Sequence, residues 1–351
     1  MEQEQDEVIL GVDTHLDTHV GAVISSTGKL LGTQSVSADT NGYLNLLTWA
    51  NSFGCLRRAG VEGTGTYGAG LARVLRDHDI EVLEVNRPDR AARRSRGKSD
   101  PTDAENAARA VLSGKATALP KAQSGAAEAM RAVSVARRSA VKAKTQAINQ
   151  LRALLVSAPQ EIRERLLKEK TAECVASCAR LRSLGDTPLL QTLTATLRLL
   201  AKRWLALAEE LSTLDGMLDR LTSRHAKRLR ERFGVGPQTA AVLVAVAGDN
   251  PDRLKNEAAL AALCGTSPLQ ASSGKTVRHR LNRGGDRSAN NALWTIAMVR
   301  MRSDPRTRSY VDRRTKEGMS KKEIHRCLKR YIVRELYPLI LADLTDSSRA
   351  A

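Results

Sequence analysis

The chain has 351 residues, enough for two or three domains that each bury a core. Apolar residues make up 42% of it but aromatics only 3%, so the cores must be built mainly from Ala, Leu and Val, which favours helices. A net charge of +18 points to a polyanionic partner, because each neutralised phosphate releases condensed counterions. No stretch of about 18 apolar residues offers a membrane span. The acidic opening "MEQEQDEVIL" has no charged n-region or apolar h-region of a signal peptide, so a cytoplasmic protein is expected. The five cysteines fit reduced thiols there, and the pair Cys174 and Cys178 has no partner pair at zinc-finger spacing.

Residues 7–38, "EVILGVDTHLDTHVGAVISSTGKLLGTQSVSA", alternate apolar and polar positions between turn signals at "THLD" and "SSTGK", which predicts three strands. A helix over 42–52, a strand in "RRAGVEGT", a helix over 68–79, a strand in "IEVLEVN" and helices over 88–96 and 101–113 follow. Three strands and then alternating helix and strand describe a mixed sheet flanked by helices, the order of ribonuclease-H-like folds. Asp13 falls at the end of the first strand and Glu62 at the end of the fourth. "KSDPTDAENAARAVL" puts Asp100 and Asp103 three apart at a helix start, on one face. Converging carboxylates repel by roughly 4 kcal/mol per close pair at an effective dielectric near 20, and a divalent cation relieves this. Oxygen ligands suit Mg²⁺ or Mn²⁺. Asp100 followed by Pro101 also reads as an N-cap with proline at N1 and Asp103 at N3. Asp17, Asp79 and Glu105 compete with these four for the site.

The blocks "GVDTH", "VEGTGTYG" and "VNRPDRAARRSRGKSDPTDAENAARAV" resemble the N-terminal part of the DEDD transposases of the IS-110 insertion-sequence family. That resemblance implies a RuvC-like domain over residues 1–120, with Asp13, Glu62, Asp100 and Asp103 as its catalytic, metal-holding carboxylates.

Between residues 122 and 232 proline occurs only at Pro159 and Pro188, and helices are expected over 125–156, 160–182 and from about 190. Leu190, Leu193, Leu197, Leu200, Trp204, Leu207, Leu211, Leu214, Leu218 and Leu221 alternate spacings of three and four, the seam of a coiled coil. It packs either on the helix at 125–156 or on a second copy, and the less regular stripe of that helix favours a homo-oligomer. This makes 121–231 a helical arm, and the resembled family carries such a segment between its two catalytic parts.

The last third, 232–351, reads as mainly α. "GVGPQTA" resembles a helix-hairpin-helix turn, able either to hold a phosphate on its amides or to serve as a plain tight turn. Helices are expected over 253–264, 287–302, 307–316 and 321–344. Eighteen Lys and Arg against six Asp and Glu between Ser273 and Glu335 supply twelve of the eighteen surplus charges. Within "GTSPLQASSGKTVRHRLNRGGD", Lys275, Arg278, Arg280, Arg283 and Arg287 are candidate phosphate contacts, as are Arg93, Arg94 and Arg96 in the first third. His279 is a candidate proton acceptor. "SSGK" is either an anion-binding turn or the carrier of a nucleophile, since a serine attacking a phosphodiester needs cations around it.

"ALAALCGTSPLQASSGKTVRHRLNRGGDRSANNALWTIAMVRM" resembles the C-terminal transposase domain of the same family. The resemblance implies that Ser273, directly before Gly274, is the nucleophile, with Ser272 its rival. It also implies recombination of donor and target DNA through a phosphoserine link, guided by a structured noncoding RNA from the element, in a nucleoid-associated prokaryotic protein. The rival readings are a RuvC-like nuclease that cleaves branched DNA without a serine, and a non-catalytic nucleic-acid-binding protein.

Overall fold

A computed structural model describes residues 6–85, 99–274 and 279–349. The chain forms two compact units, one of residues 1–124 with 248–255, the other of 125–247 with 256–351.

The first unit is a three-layer α/β structure. Strands β1 (Glu7–Thr14), β2 (Thr18–Ser25), β3 (Leu30–Ser37), β4 (Cys55–Glu62) and β5 (Glu81–Val85) form one mixed sheet in the order β3-β2-β1-β4-β5. The first three strands are antiparallel neighbours, and β4 and β5 run parallel to β1. This is the ribonuclease-H-like order expected from the sequence. Because side chains alternate along a strand, Val8, Leu10 and Val12 of β1 face one layer and Ile9, Gly11 and Asp13 the other. The first layer is α1 (Thr40–Asn51) and α2 (Ala69–Asp77), packed with Val8, Leu10 and Val12 in a core that includes Leu46, Leu71 and Leu75. His19 is buried on this side, stacked on Tyr43 at 5.4 Å, and burial lowers its pKa. It is a core residue.

The opposite layer is α3 (Asp100–Leu112). Its inner face is Ala104, Ala107, Ala108 and Val111, small enough to bring the helix backbone onto the sheet. A Cβ added at Gly11 would lie 2.1 Å from the Ala104 carbonyl oxygen and 2.3 Å from the Ala108 amide nitrogen. One at Gly60, on β4, would lie 2.7 Å from the Ala107 carbonyl oxygen. The two glycines are therefore what lets α3 cross β1 and β4 this closely. The returning segment 248–255 completes the unit. Asn250 donates to the Pro120 carbonyl at 3.0 Å and accepts from the Ala122 amide at 3.1 Å, while Arg253 donates to the Leu119 carbonyl.

The second unit is mainly helical. Helix α4 (Ala126–Val156) packs along α7 (Pro188–His225), and two short helices, α5 (Gln160–Leu166) and α6 (Thr171–Ala179), close one end of the pair. The single helix expected over 160–182 is interrupted between Leu166 and Thr171, where Leu167 leaves helical geometry with ψ 89°. The pair is antiparallel, since Arg137 meets Asp215 and Lys144 lies over the Trp204 ring, while Leu151 and Leu155 share a core with Leu193 and Leu197. The leucine seam is thus a continuous helix that folds back on its own chain. It is buried at Leu193, Leu197 and Leu218 but only half-buried at Leu207, Leu211 and Leu214. After the short α8 (Lys227–Arg230), the nearly all-apolar α9 (Pro237–Ala247) packs on α4, α7, α11 (Arg287–Ser303) and α13 (Lys321–Arg349), while α10 (Glu257–Leu263) packs on α13 and α12 (Pro305–Lys316) on α11 and α13. Buried Asp343 of α13 accepts from the Leu229 amide and pairs with Arg228 at 3.0 Å, anchoring the helix C-terminal to the seam. Among the described residues no helix is long and apolar enough to cross a membrane.

Replacing Gly11 with Ala forces α3 off the sheet. We expect a loss of about 2–3 kcal/mol from overpacking, read as a lowered melting temperature, whereas Gly65→Ala, at a turn with open space around it among the described residues, leaves no such clash.

Candidate metal and strand-transfer sites

The four carboxylates singled out in the first third all lie in the first unit. Asp13 sits on the α3 side of β1, two residues beyond Gly11. On β4, Glu62 stands two beyond Gly60 and so faces the same way. The parallel register pairs Val12 with Val61, which makes Asp13 and Glu62 neighbours at the ends of adjacent strands. Thr14 ties those ends together by donating to the Glu62 carbonyl at 3.0 Å. Across from them, the first turn of α3 carries Asp100 and Asp103. Asp13 and Asp103 are buried, at 6% and 3% exposure, and Asp100 is open to solvent.

The cap of α3 differs from the sequence expectation. Ser99, with extended backbone, is the N-cap and its Oγ accepts from the Thr102 amide, so Asp100 is N1, Pro101 N2 and Asp103 N4. Asp100 is therefore not occupied as a cap. Its Oδ2 lies 3.5 Å from His15 Nε2, and Asp13 Oδ2 lies 3.2 Å from the same nitrogen. Asp13, His15 and Asp100 together present ligand atoms within 4.8 Å of one another, a set that could hold a metal ion. Glu62 and Asp103 stand outside that tightest set. His15 was missed by the sequence reading, although "GVDTH" contains it, because a histidine just past a strand looks like any turn residue. The competitors have other environments: Glu105 pairs with Arg109 at 2.6 Å, Asp79 sits in a left-handed turn at φ 60°, and Asp17 is exposed.

Asp13 and Asp100 thus bring carboxylate oxygens to either side of one imidazole nitrogen, with Asp103 buried nearby on the same helix turn as Asp100. Oxygen donors with one imidazole nitrogen suit Mn²⁺ as well as Mg²⁺, so the residues present fit the divalent site that was expected.

Ser273 belongs to the second unit. It lies between two short antiparallel strands, β6 (Leu269–Gln270) and β7 (His279–Arg280), and both it and Ser272 are exposed. Gly274 has φ +55°, and among the described residues nothing lies within 4 Å of where a Cβ would be, which leaves its backbone accessible from that side. The ends of this segment are pinched together. A Cβ on Gly265 would lie 2.3 Å from the Gly284 carbonyl oxygen, and one on Gly285 would lie 2.4 Å from the Gly265 nitrogen. Asn290 of α11 holds the near end through the Cys264 and Gly265 carbonyls. Arg280, Arg283, Arg287 and His279 are exposed around this segment. Lys275 and Arg278 lie outside the described residues, as do Arg93, Arg94 and Arg96 and the helix expected over 88–96. At the helix-hairpin-helix-like turn, the Gly236 amide donates to Thr239 Oγ1 at 3.0 Å, which occupies one of the amides a phosphate would use.

Two family descriptions match the chain, "Transposase", of the DEDD type, over residues 10–158 and "Transposase IS116/IS110/IS902 family" over residues 226–312. The chain belongs to the IS110 family of transposases. Among curated relatives, this IS110-family chain is 32% identical over 130 residues to an insertion element IS110 uncharacterized 43.6 kDa protein of Streptomyces coelicolor, covering 36% of this chain and 32% of that one. It is 29% identical over 157 residues to an insertion element IS900 uncharacterized 42 kDa protein of Mycobacterium paratuberculosis, covering 43% of this chain and 39% of the relative. The matches thus span between a third and two fifths of those relatives.

With the carboxylates acting as a metal site, millimolar Mg²⁺ or Mn²⁺ raises the melting temperature of the wild type by a few degrees. The same salts leave Asp13→Asn or Asp103→Asn unchanged, and an equal rise in all three proteins would remove the assignment.

Proposed function

We propose that this chain is a DNA transposase that excises and inserts an insertion sequence by cutting and rejoining DNA strands. The observation that carries the reading is the approach of Asp13 and Asp100 to one imidazole at the end of a ribonuclease-H-like sheet, in a family of transposases. Asp13, Glu62, Asp100 and Asp103 would hold Mg²⁺ or Mn²⁺, which when bound supplies positive charge to phosphate oxygens.

In this reading Ser273 is the nucleophile. Its Oγ forms a bond to a DNA phosphorus as the bond from that phosphorus to one deoxyribose oxygen breaks. The leaving oxygen gains a proton, and the serine proton passes to a base, for which His279 on β7 is the candidate. Attack by a DNA hydroxyl on the phosphoserine reverses these bonds and rejoins the strand. Arg280, Arg283 and Arg287, with Lys275 and Arg278 of the same segment, offset the negative charge that develops on the non-bridging oxygens. Support comes from the exposure of Ser273 and the open, left-handed backbone at Gly274.

Donor and target DNA are the substrates, and a structured noncoding RNA encoded by the element selects them by base pairing. The +18 charge suits both nucleic acids. A homo-oligomer holds two duplexes together through the half-buried middle of the α7 seam.

Two measurements test this reading. On a denaturing gel of labelled DNA incubated with protein and Mg²⁺, a slow covalent band forms with wild type and Ser272→Ala and is lost with Ser273→Ala, while DNA binding stays within about twofold because the arginines persist. Cleavage with no covalent band in wild type would instead mean a nuclease using water. Lysine at both Leu207 and Leu211 is expected to split the oligomer in light scattering, and a monomeric wild type would make the seam purely an internal hairpin.

A further inference from the structure

The chain has only ten Phe, Tyr and Trp residues, and three of them, Phe233, Tyr310 and Tyr331, line one hollow of the second unit. The hollow measures about 820 Å³ and runs between the turn before α9, the α11–α12 junction and α13. Phe233 and Tyr331 are more than half exposed there, at 54% and 53%. The main chain at Phe233 and the ring of Tyr331 are both held in place. Arg300 donates to the Phe233 carbonyl at 2.9 Å, and Tyr331 meets the Tyr310 ring edge to face at 5.8 Å, with Arg313 over the Tyr310 ring. A ring braced at its edge leaves a face for another flat group.

The hollow is also cationic where it counts. Arg232, Arg306, Arg313 and Arg334 line it. Of its three acidic groups, Asp304 accepts from the Thr307 amide and hydroxyl at the cap of α12, Glu335 pairs with Arg300 at 2.6 Å and Glu231 is exposed, against five lining arginines in all. A second hollow of about 540 Å³, lined by His279, Arg280 and Leu281 of the segment that carries Ser273, adjoins it. Tyr331 and Arg334 line both. The two therefore form one track, with Tyr331 standing at the middle.

We propose that this track binds a nucleic-acid strand whose bases are unstacked from a duplex, with Tyr331 and Phe233 stacking bases and Arg306, Arg313 and Arg334 contacting phosphates. A duplex keeps its base faces stacked within the helix and would give the two rings no face to stack on. Aromatic faces flanked by arginine are what single strands require, because every base has a π-face while the backbone needs cations. The proposal rests on the reading of the chain as an enzyme acting on nucleic acid and adds a strand-specific site to it.

The full-length protein is titrated into short fluorescent oligonucleotides of DNA and RNA, single-stranded and duplex, at one salt concentration. Tyr331→Ala is expected to weaken single-strand binding about tenfold and Phe233→Ala about fivefold, Tyr331→Phe to stay within about twofold, and duplex binding to change less than about twofold in all three. The stronger of the DNA and RNA arms identifies the strand. Unchanged single-strand binding by Tyr331→Ala overturns the site, as does equal loss on duplex and single strand. A wild type that binds duplex alone removes this inference and leaves the transposase reading standing, whereas one that binds no nucleic acid removes both. Should Tyr331→Ala melt early, photocrosslinking of a bromouracil oligonucleotide to wild type decides. Adducts on the peptide containing Tyr331 or Phe233 sustain the site, and adducts confined to other peptides overturn it.

Discussion

Helix α3 lies against β1 and β4 so closely that no side chain fits at Gly11 or Gly60, and the placement of Asp13, Glu62, Asp100 and Asp103 follows from that contact. Two residues further along each strand, on the same face, come Asp13 and Glu62. One turn before the first alanine of the contact comes Asp100, with Asp103 beside it. Were the helix held off by even a methyl group at each glycine, the acidic residues of helix and sheet would separate by a comparable distance. Packing in this layer and chemistry at its edge are thus one problem. The alanines of α3 contribute little apolar area, and their use shows that close approach matters more here than burial.

The second unit solves a related problem with the same residue. Gly265 and Gly285 let the two ends of the segment around Ser273 press backbone to backbone, so an exposed stretch projects from a fixed base. Asn290 and the buried Lys329, which donates to the Asn290 side chain at 2.8 Å, lock that base to α11 and α13. Burial lowers the Lys329 pKa, which reflects how far this polar staple lies from water. Ser272 and Ser273 are left exposed while the footing of their segment is fixed, the usual division of labour between a surface loop and its scaffold.

Local patterns carried most of the architecture. Alternation in residues 7–38 announces three strands, and the unbroken leucine spacing announces α7, because periods of two and of three to four are properties of neighbouring residues. Asp13 and Glu62 were legible as strand ends. What escaped was set by distant partners. His15 gains meaning only when Asp100, 85 positions later, swings over it. The packing of α4 on α7 depends on pairs such as Arg137 with Asp215, and the spacing of leucines does not say whether the partner helix is on the same chain. The N-cap shifted by one residue, from Asp100 to Ser99, because serine and aspartate are equally good caps and the sequence offers both. The interruption after Leu166 carries no proline or glycine to mark it.

The return of residues 248–255 to the first unit also bears on the order in which the protein is made. The sheet and its helices are complete by residue 124, yet the contacts of Asn250 with Pro120 and Ala122 join positions about 130 apart in the chain. A ribosome adding 5–20 residues per second takes on the order of ten seconds to cover that interval. During it the 119–122 segment has no partner from the returning segment, while the whole helical pair of α4 and α7 emerges. The first domain to be synthesised is consequently finished only after more than half of the second has been made. A nascent chain of this protein carries its first unit without the returning segment until the paired helices α4 and α7 have been made.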